Sequence, residues 1–118
     1  MKYKIINTAS GLITMGIAAS IVAAALALRP DIDNEQHKCM ALNIYHEARG
    51  EVTEGQIAVA QVTVNRVQDK RWPNTICDVV YQNKQFSWTH MIKNHNPTDD
   101  KAWRKAQVIA RDVMLGNV

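Results

Sequence analysis

Charge is missing from residues 5 to 28, and acid is missing from an even longer stretch, since all 11 Asp and Glu residues follow Pro30. The part of the chain with ordinary soluble composition is therefore only the 90 residues from Arg29 onward, too few for two ordinary domains. Of those 90 residues 36 are apolar, enough for one small core and more than a disordered chain carries. Clusters of Lys and Arg are also missing: from Arg29 onward 12 basic groups face 11 acidic ones. The pI near 9.0 is thus no signature of nucleic-acid binding, and no nucleic-acid partner is expected. Internal repeats are absent.

What occupies the uncharged stretch is a 24-residue run preceded by Lys2 and Lys4. As a helix rising about 1.5 Å per residue it is long enough to cross a hydrocarbon core of about 30 Å, with its positive end held in the cytoplasm. Arg29-Pro30 would end that helix on the far side. Thirteen of the 24 residues are Ala, Gly, Ser or Thr, which makes membrane affinity weak. The segment reads either as a weak signal-anchor contacting the membrane through residues 5–28 or as a signal peptide cut after Ala25-Leu26-Ala27. Residues 29–34 then form a linker, and residues 35–118 the domain, exported to the periplasm or cell envelope.

Cysteine is scarce, with Cys39 and Cys77 alone, but an even count in an exported small domain favours a disulfide over two free thiols. The domain around them reads as mainly helical. Met40, Ala41, Ile44, Tyr45 and Ala48 fall at helical spacing over about residues 35–49, ended by Gly50, with Asn43, His46 and Glu47 on the opposite face. Thr53 and Gln56 form a capping box for a second helix through Val67, in which Ile57, Ala60, Val64 and Val67 share a face. Residues 69–75 are a turn, and Ile76 to Tyr81 is either a short helix or a strand. Gln82 to Pro97 is a polar loop carrying Phe86 and Trp88. A last helix begins at Thr98 with Asp99 and Asp100, buries Ala102, Trp103, Ala106, Ile109, Ala110 and Val113, and closes at Gly116.

Chemistry is expected at Glu47, near a helix end on the polar face. Desolvation at a groove edge would let such a carboxyl hold a proton near neutrality, as a general acid must. A surface carboxylate or an ion pair with Arg49 is the plainer alternative. No metal is expected, because His46-Glu47-Ala48-Arg49-Gly50 lacks the second histidine of a helical zinc motif and His37, His90 and His95 have no ligand spacing. No Ser or Cys stands in a nucleophile-elbow pattern.

Ala41 to Glu51 (ALNIYHEARGE), Glu54 to Val62 (EGQIAVAQV), Asn65-Arg66-Val67, Trp72-Pro73 and Gln85-Phe86-Ser87-Trp88 together resemble the cell-wall hydrolase family of the spore cortex-lytic enzymes. The blocks run in order from about residue 39 to 88. The resemblance implies a lysozyme-like α+β domain that cleaves peptidoglycan with one glutamate, which maps onto Glu47. It implies that Gln85, Phe86, Ser87 and Trp88 line the glycan groove, while Asn65 and Arg66 brace the helix pair. Family domains run on into a Gly-rich segment that completes the groove, whereas this sequence stops at Gly116-Asn117-Val118.

Ordinary glycosidases flank the bond with two carboxylates, and only Glu51 is near Glu47 in sequence. Glu51 is expected to bind substrate. If Glu47 acts alone, the muramic sugar's own 6-hydroxyl can replace water, giving lytic transglycosylation, which the resemblance favours and which needs no cofactor; if the two carboxylates act together, the alternative is hydrolysis. Two readings from other classes stand beside this: a non-catalytic wall-binding module, and a small membrane protein whose apolar segment is the working part.

Overall fold

The computed structural model describes residues 5–7 and 30–118, and its helices are built around one that is buried on nearly every side. This helix, α1 (Asn34–Ala48), starts at Asp33, whose Oδ1 accepts the backbone N–H groups of Glu35 and Gln36 at 2.9 and 3.1 Å. A carboxylate there satisfies two orphan donors and complements the positive end of the helix dipole. Seven successive residues, Cys39 to Tyr45, are buried, so α1 is the axis of the core. Around it pack α2 (Thr53–Gln68), α3 (Ile76–Val80) and α5 (Asp100–Met114), while a single turn, α4 (Trp88–Met91), interrupts the stretch read from sequence as loop. The order of elements and their burial make the domain mainly α.

Strand enters only at the start. Ile5–Asn7 (β1) pairs antiparallel with Pro30–Ile32 (β2), Ile5 opposite Ile32, Ile6 opposite Asp31 and Asn7 opposite Pro30. These are the only strands among the described residues, so the β part of the expected α+β architecture is confined to this ribbon. The apolar helix read as starting at Ile5 does not include those first three residues, where two β-branched side chains favour extended backbone. The rest of that segment, 8–29, lies outside the described residues. Among those described, no helix is long and apolar enough to cross a membrane.

The disulfide is present: Cys39 on α1 joins Cys77 on α3 with Cα atoms 5.2 Å apart and a sequence separation of 38. By the loop-entropy account such a closure contributes about 3 to 4 kcal/mol. Gln36 Oε1 accepts the Cys77 N–H at 2.9 Å beside it, and His37 Nε2 donates to the Gln107 carbonyl of α5 at 2.8 Å. Ile76 to Val80 is helical because Thr75 Oγ1 accepts from the Asp78 N–H at 3.1 Å, a local cap that the apolar run itself does not announce.

Two local expectations are corrected. Thr53 is the first residue of α2 and not its cap; Val52 holds the cap position without a side-chain bond, and Gln56 turns inward, buried, to donate to the Glu51 carbonyl at 3.1 Å. Asn43 is also fully buried, although its polarity had placed it on the outer face of α1. The last helix follows its pattern, with Ala106, Ile109, Ala110, Val113 and Met114 buried and Ala102 and Trp103 packed at the edge. It closes on Gly116 at φ 76°, with Gly116 N–H to Val113 O at 3.1 Å and Asn117 N–H to Asp112 O at 2.8 Å. That paired pattern needs a left-handed residue just beyond the helix, which glycine supplies without a Cβ clash.

Candidate active site

Glu47 sits in the last turn of α1 and is exposed. The desolvation expected for it is therefore not built into the chain itself. What the fold does build is a firm footing one helical turn below. Asn43, four residues earlier on the same side of α1, accepts the indole N–H of Trp88 at 2.8 Å through Oδ1 and donates through Nδ2 to Thr63 Oγ1 at 3.4 Å. The Thr63 hydroxyl in turn donates a hydrogen bond to the Val59 carbonyl at 3.1 Å. Asn43, Thr63 and the Trp88 indole thus each find a hydrogen-bond partner in the interior, which ties α1, α2 and α4 together beneath Glu47.

The ion pair with Arg49, which would have neutralised Glu47, does not form. Arg49 instead folds back over the Tyr45 ring, its guanidinium carbon 4.9 Å from the ring centroid, and Nη1 donates to the Tyr45 hydroxyl at 2.6 Å. The same oxygen accepts the backbone N–H groups of Thr98 and Asp99, both at 3.1 Å, at the start of α5. Tyr45 is 1% exposed. Burial pushes its hydroxyl up from 10.0, but the hydrogen bonds at Asp99 and Thr98 and from Arg49 outweigh that, and the group lies below its ordinary value. Three donors on one oxygen favour the anion because a neutral phenol must also place its own proton. Among the described residues Glu47 has no ion pair.

His46 lies on the flank of α1 next to Glu47. Its ring stacks on Trp88, centroids 4.6 Å apart at 23°, and Nε2 donates to the His95 carbonyl at 2.8 Å. Because a carbonyl can only accept, Nε2 carries a proton. His95 meets Trp88 edge to face at 4.9 Å, and Tyr81 approaches Trp88 at 5.6 Å and His95 at 6.3 Å. No cluster of three or more His, Cys, Asp or Glu that could hold a metal is formed among the described residues.

The remaining sequence candidates divide. Glu51 is exposed and folds against α2: a Cβ added to Gly55 would come within 3.1 Å of Glu51 Cβ and 3.8 Å of its Oε2, so glycine makes room for the carboxylate at the positive end of that helix. Trp88 is 3% exposed and belongs to the core. Phe86 is half-buried, with the Arg66 guanidinium 5.6 Å from its centroid and 4.6 Å from that of Trp72. Arg66 thus clamps two aromatics of the following turns. Gln85 is half-buried and Ser87 exposed, in a turn that carries Lys84 at φ 65°. Sequence reasoning put Asn43 and His46 on the face of Glu47 without giving either a role there, and did not bring Tyr45, Tyr81 or His95 to this region. The one available signal was Asn43, an amide four residues before Glu47 inside an apolar run.

The site is thus a buried polar node beneath an exposed glutamate on a small disulfide-closed helical domain. Residues 50–118 match the family described as cell wall hydrolase, so the chain belongs to the cell wall hydrolase family. Glu47 lies three residues before that matched region begins. The chain is similar to the spore cortex-lytic enzyme of Oceanobacillus iheyensis, 34% identical over 76 residues that make up 64% of this chain and 25% of that protein. It is similar to the spore cortex-lytic enzyme of Bacillus subtilis, 34% identical over 65 residues (55% and 21%), and to that of Bacillus cereus, 44% over 48 residues (41% and 18%). The matched part is thus about a quarter or less of the length of these relatives. No solved structure matches the chain.

Proposed function

We propose that this protein cleaves the glycan strands of peptidoglycan by lytic transglycosylation, with Glu47 as the acid and then the base. The observation that carries the reading is an exposed glutamate above a fully bonded Asn43–Trp88–Thr63 node, left without a cationic partner because Tyr45 takes Arg49. A glycan laid over Glu47 would displace its water, and desolvation favours the neutral acid. Glu47 then gives its proton to the glycosidic oxygen as the C1–O bond breaks. The resulting carboxylate takes the proton of the same muramic sugar's 6-hydroxyl, whose oxygen closes on C1. The product is a 1,6-anhydro sugar, no water is consumed, and Glu47 ends the cycle protonated.

Membership of the family and the named relatives support a wall substrate, and the Cys39–Cys77 disulfide supports a site of action outside the cytoplasm. The reading gives no step to Glu51, whose side chain lies over Gly55 at the start of α2. Mass spectrometry of fragments released from purified peptidoglycan by the full chain tests this. Anhydro ends that resist borohydride are expected; reducible ends, heavier by one water, would convert the reading to a hydrolase, and no fragments at all would leave wall binding.

A further inference from the structure

Tyr81 is an aromatic side chain that the fold holds in place without covering. It is 43% exposed at the end of α3, while its ring is braced at 5.6 Å and 65° by Trp88 and at 6.3 Å by His95. Trp88 cannot move aside, because its indole N–H is bonded to buried Asn43 and its face is covered by His46. Neither the Tyr81 hydroxyl nor the His95 ring makes a hydrogen bond with a described residue, so polar groups accompany the exposed part of the Tyr81 side chain. His46, at the other end of this array, is the residue next to Glu47.

We propose that Tyr81 is the stacking platform of a sugar subsite, with His95 at its polar edge, and that it takes an N-acetylhexosamine unit of the glycan. This deepens the reading of Glu47 as the cleaving residue and rests on it. The chemistry matches in two respects. The C–H face of a pyranose lies flat on an aromatic ring, and the hydroxyl and acetamido groups around its rim need donors and acceptors at the ring's edge, which the Tyr81 hydroxyl and the His95 imidazole provide. A ring already fixed in the free protein loses little entropy when the sugar arrives. Buried Trp88 touches Tyr81 on one side and His46, the residue next to Glu47, on the other, so two ring contacts connect the platform with the last turn of α1.

The test separates seating from cleavage. Binding of N-acetylglucosamine oligomers to the full chain is followed by tryptophan fluorescence in the Glu47→Gln background, where the strand remains intact. Adding Tyr81→Leu is expected to weaken binding about threefold to tenfold, the scale of one aromatic contact. Adding Tyr81→Phe instead is expected to keep most of the affinity, since the platform survives. With Glu47 restored, Tyr81→Leu is expected to raise KM for soluble glycan and leave kcat within about twofold. Circular dichroism establishes that both variants are folded; if Leu disturbs the fold, the Phe variant and a His95→Ala variant, each expected to keep the fold and to cost less, carry the comparison. Unchanged affinity in the folded Leu variant would overturn the platform whatever Glu47 does, whereas undiminished turnover in Glu47→Gln would overturn the cleavage reading and leave the binding result standing.

Discussion

The two ends of α1 are held by different means. At its start, Asp33 caps the helix, Cys39 is covalently joined to Cys77, Gln36 holds the Cys77 amide and His37 reaches α5. At its end the contacts are rings and side-chain hydrogen bonds: Tyr45 to α5, Asn43 to Trp88, His46 to His95, with Glu47 facing solvent among them. A bridged end resists opening whatever touches it. The other end keeps its shape only while every polar partner is present, and it is there that an acidic group stands ready for a substrate. Rigidity at one end is thus what lets the other consist of weak, specific contacts around an accessible carboxylate.

If that contrast holds, substitutions at the two ends should separate activity from stability. The largest effect is expected from Glu47→Gln, which keeps volume but can neither give nor take a proton: wall-lytic rate should fall by about 10² to 10⁴ with the melting temperature unchanged. Activity within tenfold of the parent would remove Glu47 from the mechanism. Replacing both Cys39 and Cys77 by Ser should cost about 3 to 4 kcal/mol in denaturant unfolding, while the near-ultraviolet signal of the Trp88 cluster persists at temperatures where the variant is folded. Asn43→Leu should cost about 1 to 3 kcal/mol, chiefly by leaving the buried Trp88 N–H without an acceptor, and should reduce activity as well, because the node lies one turn from Glu47.

The smallest and most diagnostic effect is with pH. Absorbance titration is expected to show Tyr45 ionising below 10.0 and Tyr81, raised by burial, above it. For Tyr45 the folded value is depressed, so its ionisation adds stability that is complete above the ordinary tyrosine value and is lost as pH falls through the folded value. Tyr81 has the opposite sign: its contribution is complete below the ordinary value and is lost as pH rises through the folded one. Tyr45→Phe should abolish the first transition, and Tyr81→Phe the second. A single merged transition in the parent would mean that Arg49 and the α5 amides do not hold the phenol as described.

How far the sequence could be read depends on the range of each interaction. α1, α2 and α5 announce themselves through apolar spacing and end signals, and Cys39 and Cys77 pair because the domain has no others. Ile76 to Val80 could not be assigned because Ile76, Val79 and Val80 are apolar on either period, and only the Thr75 cap decides for helix. Asn43 was assigned to the outer face by its polarity, yet its burial depends on Trp88, 45 residues later. Tyr45 finds its acceptor role at Thr98 and Asp99, 53 and 54 residues on. Local pattern carries the helices; the polar node under Glu47 is made of long-range pairs for which no spacing rule exists. The stretch read from sequence as a weak anchor or a cleaved signal lies mostly outside the described residues.

The bridge between Cys39 and Cys77 also fixes what a cut in the chain would do. The covalent ring it closes contains most of α1, the whole of α2 and Glu47, whereas α4 and α5 lie outside it. Gly50, in the turn between α1 and α2, is exposed and has no neighbour within 4 Å of where a side chain would begin, so it is an open position for a protease. Cleavage there would produce two polypeptides that still travel as one, joined through sulfur, and that separate only when reductant is added. A nicked sample would therefore look intact by mass in the absence of reductant except for the single water gained, with Glu47 on one fragment and Tyr81 on the other.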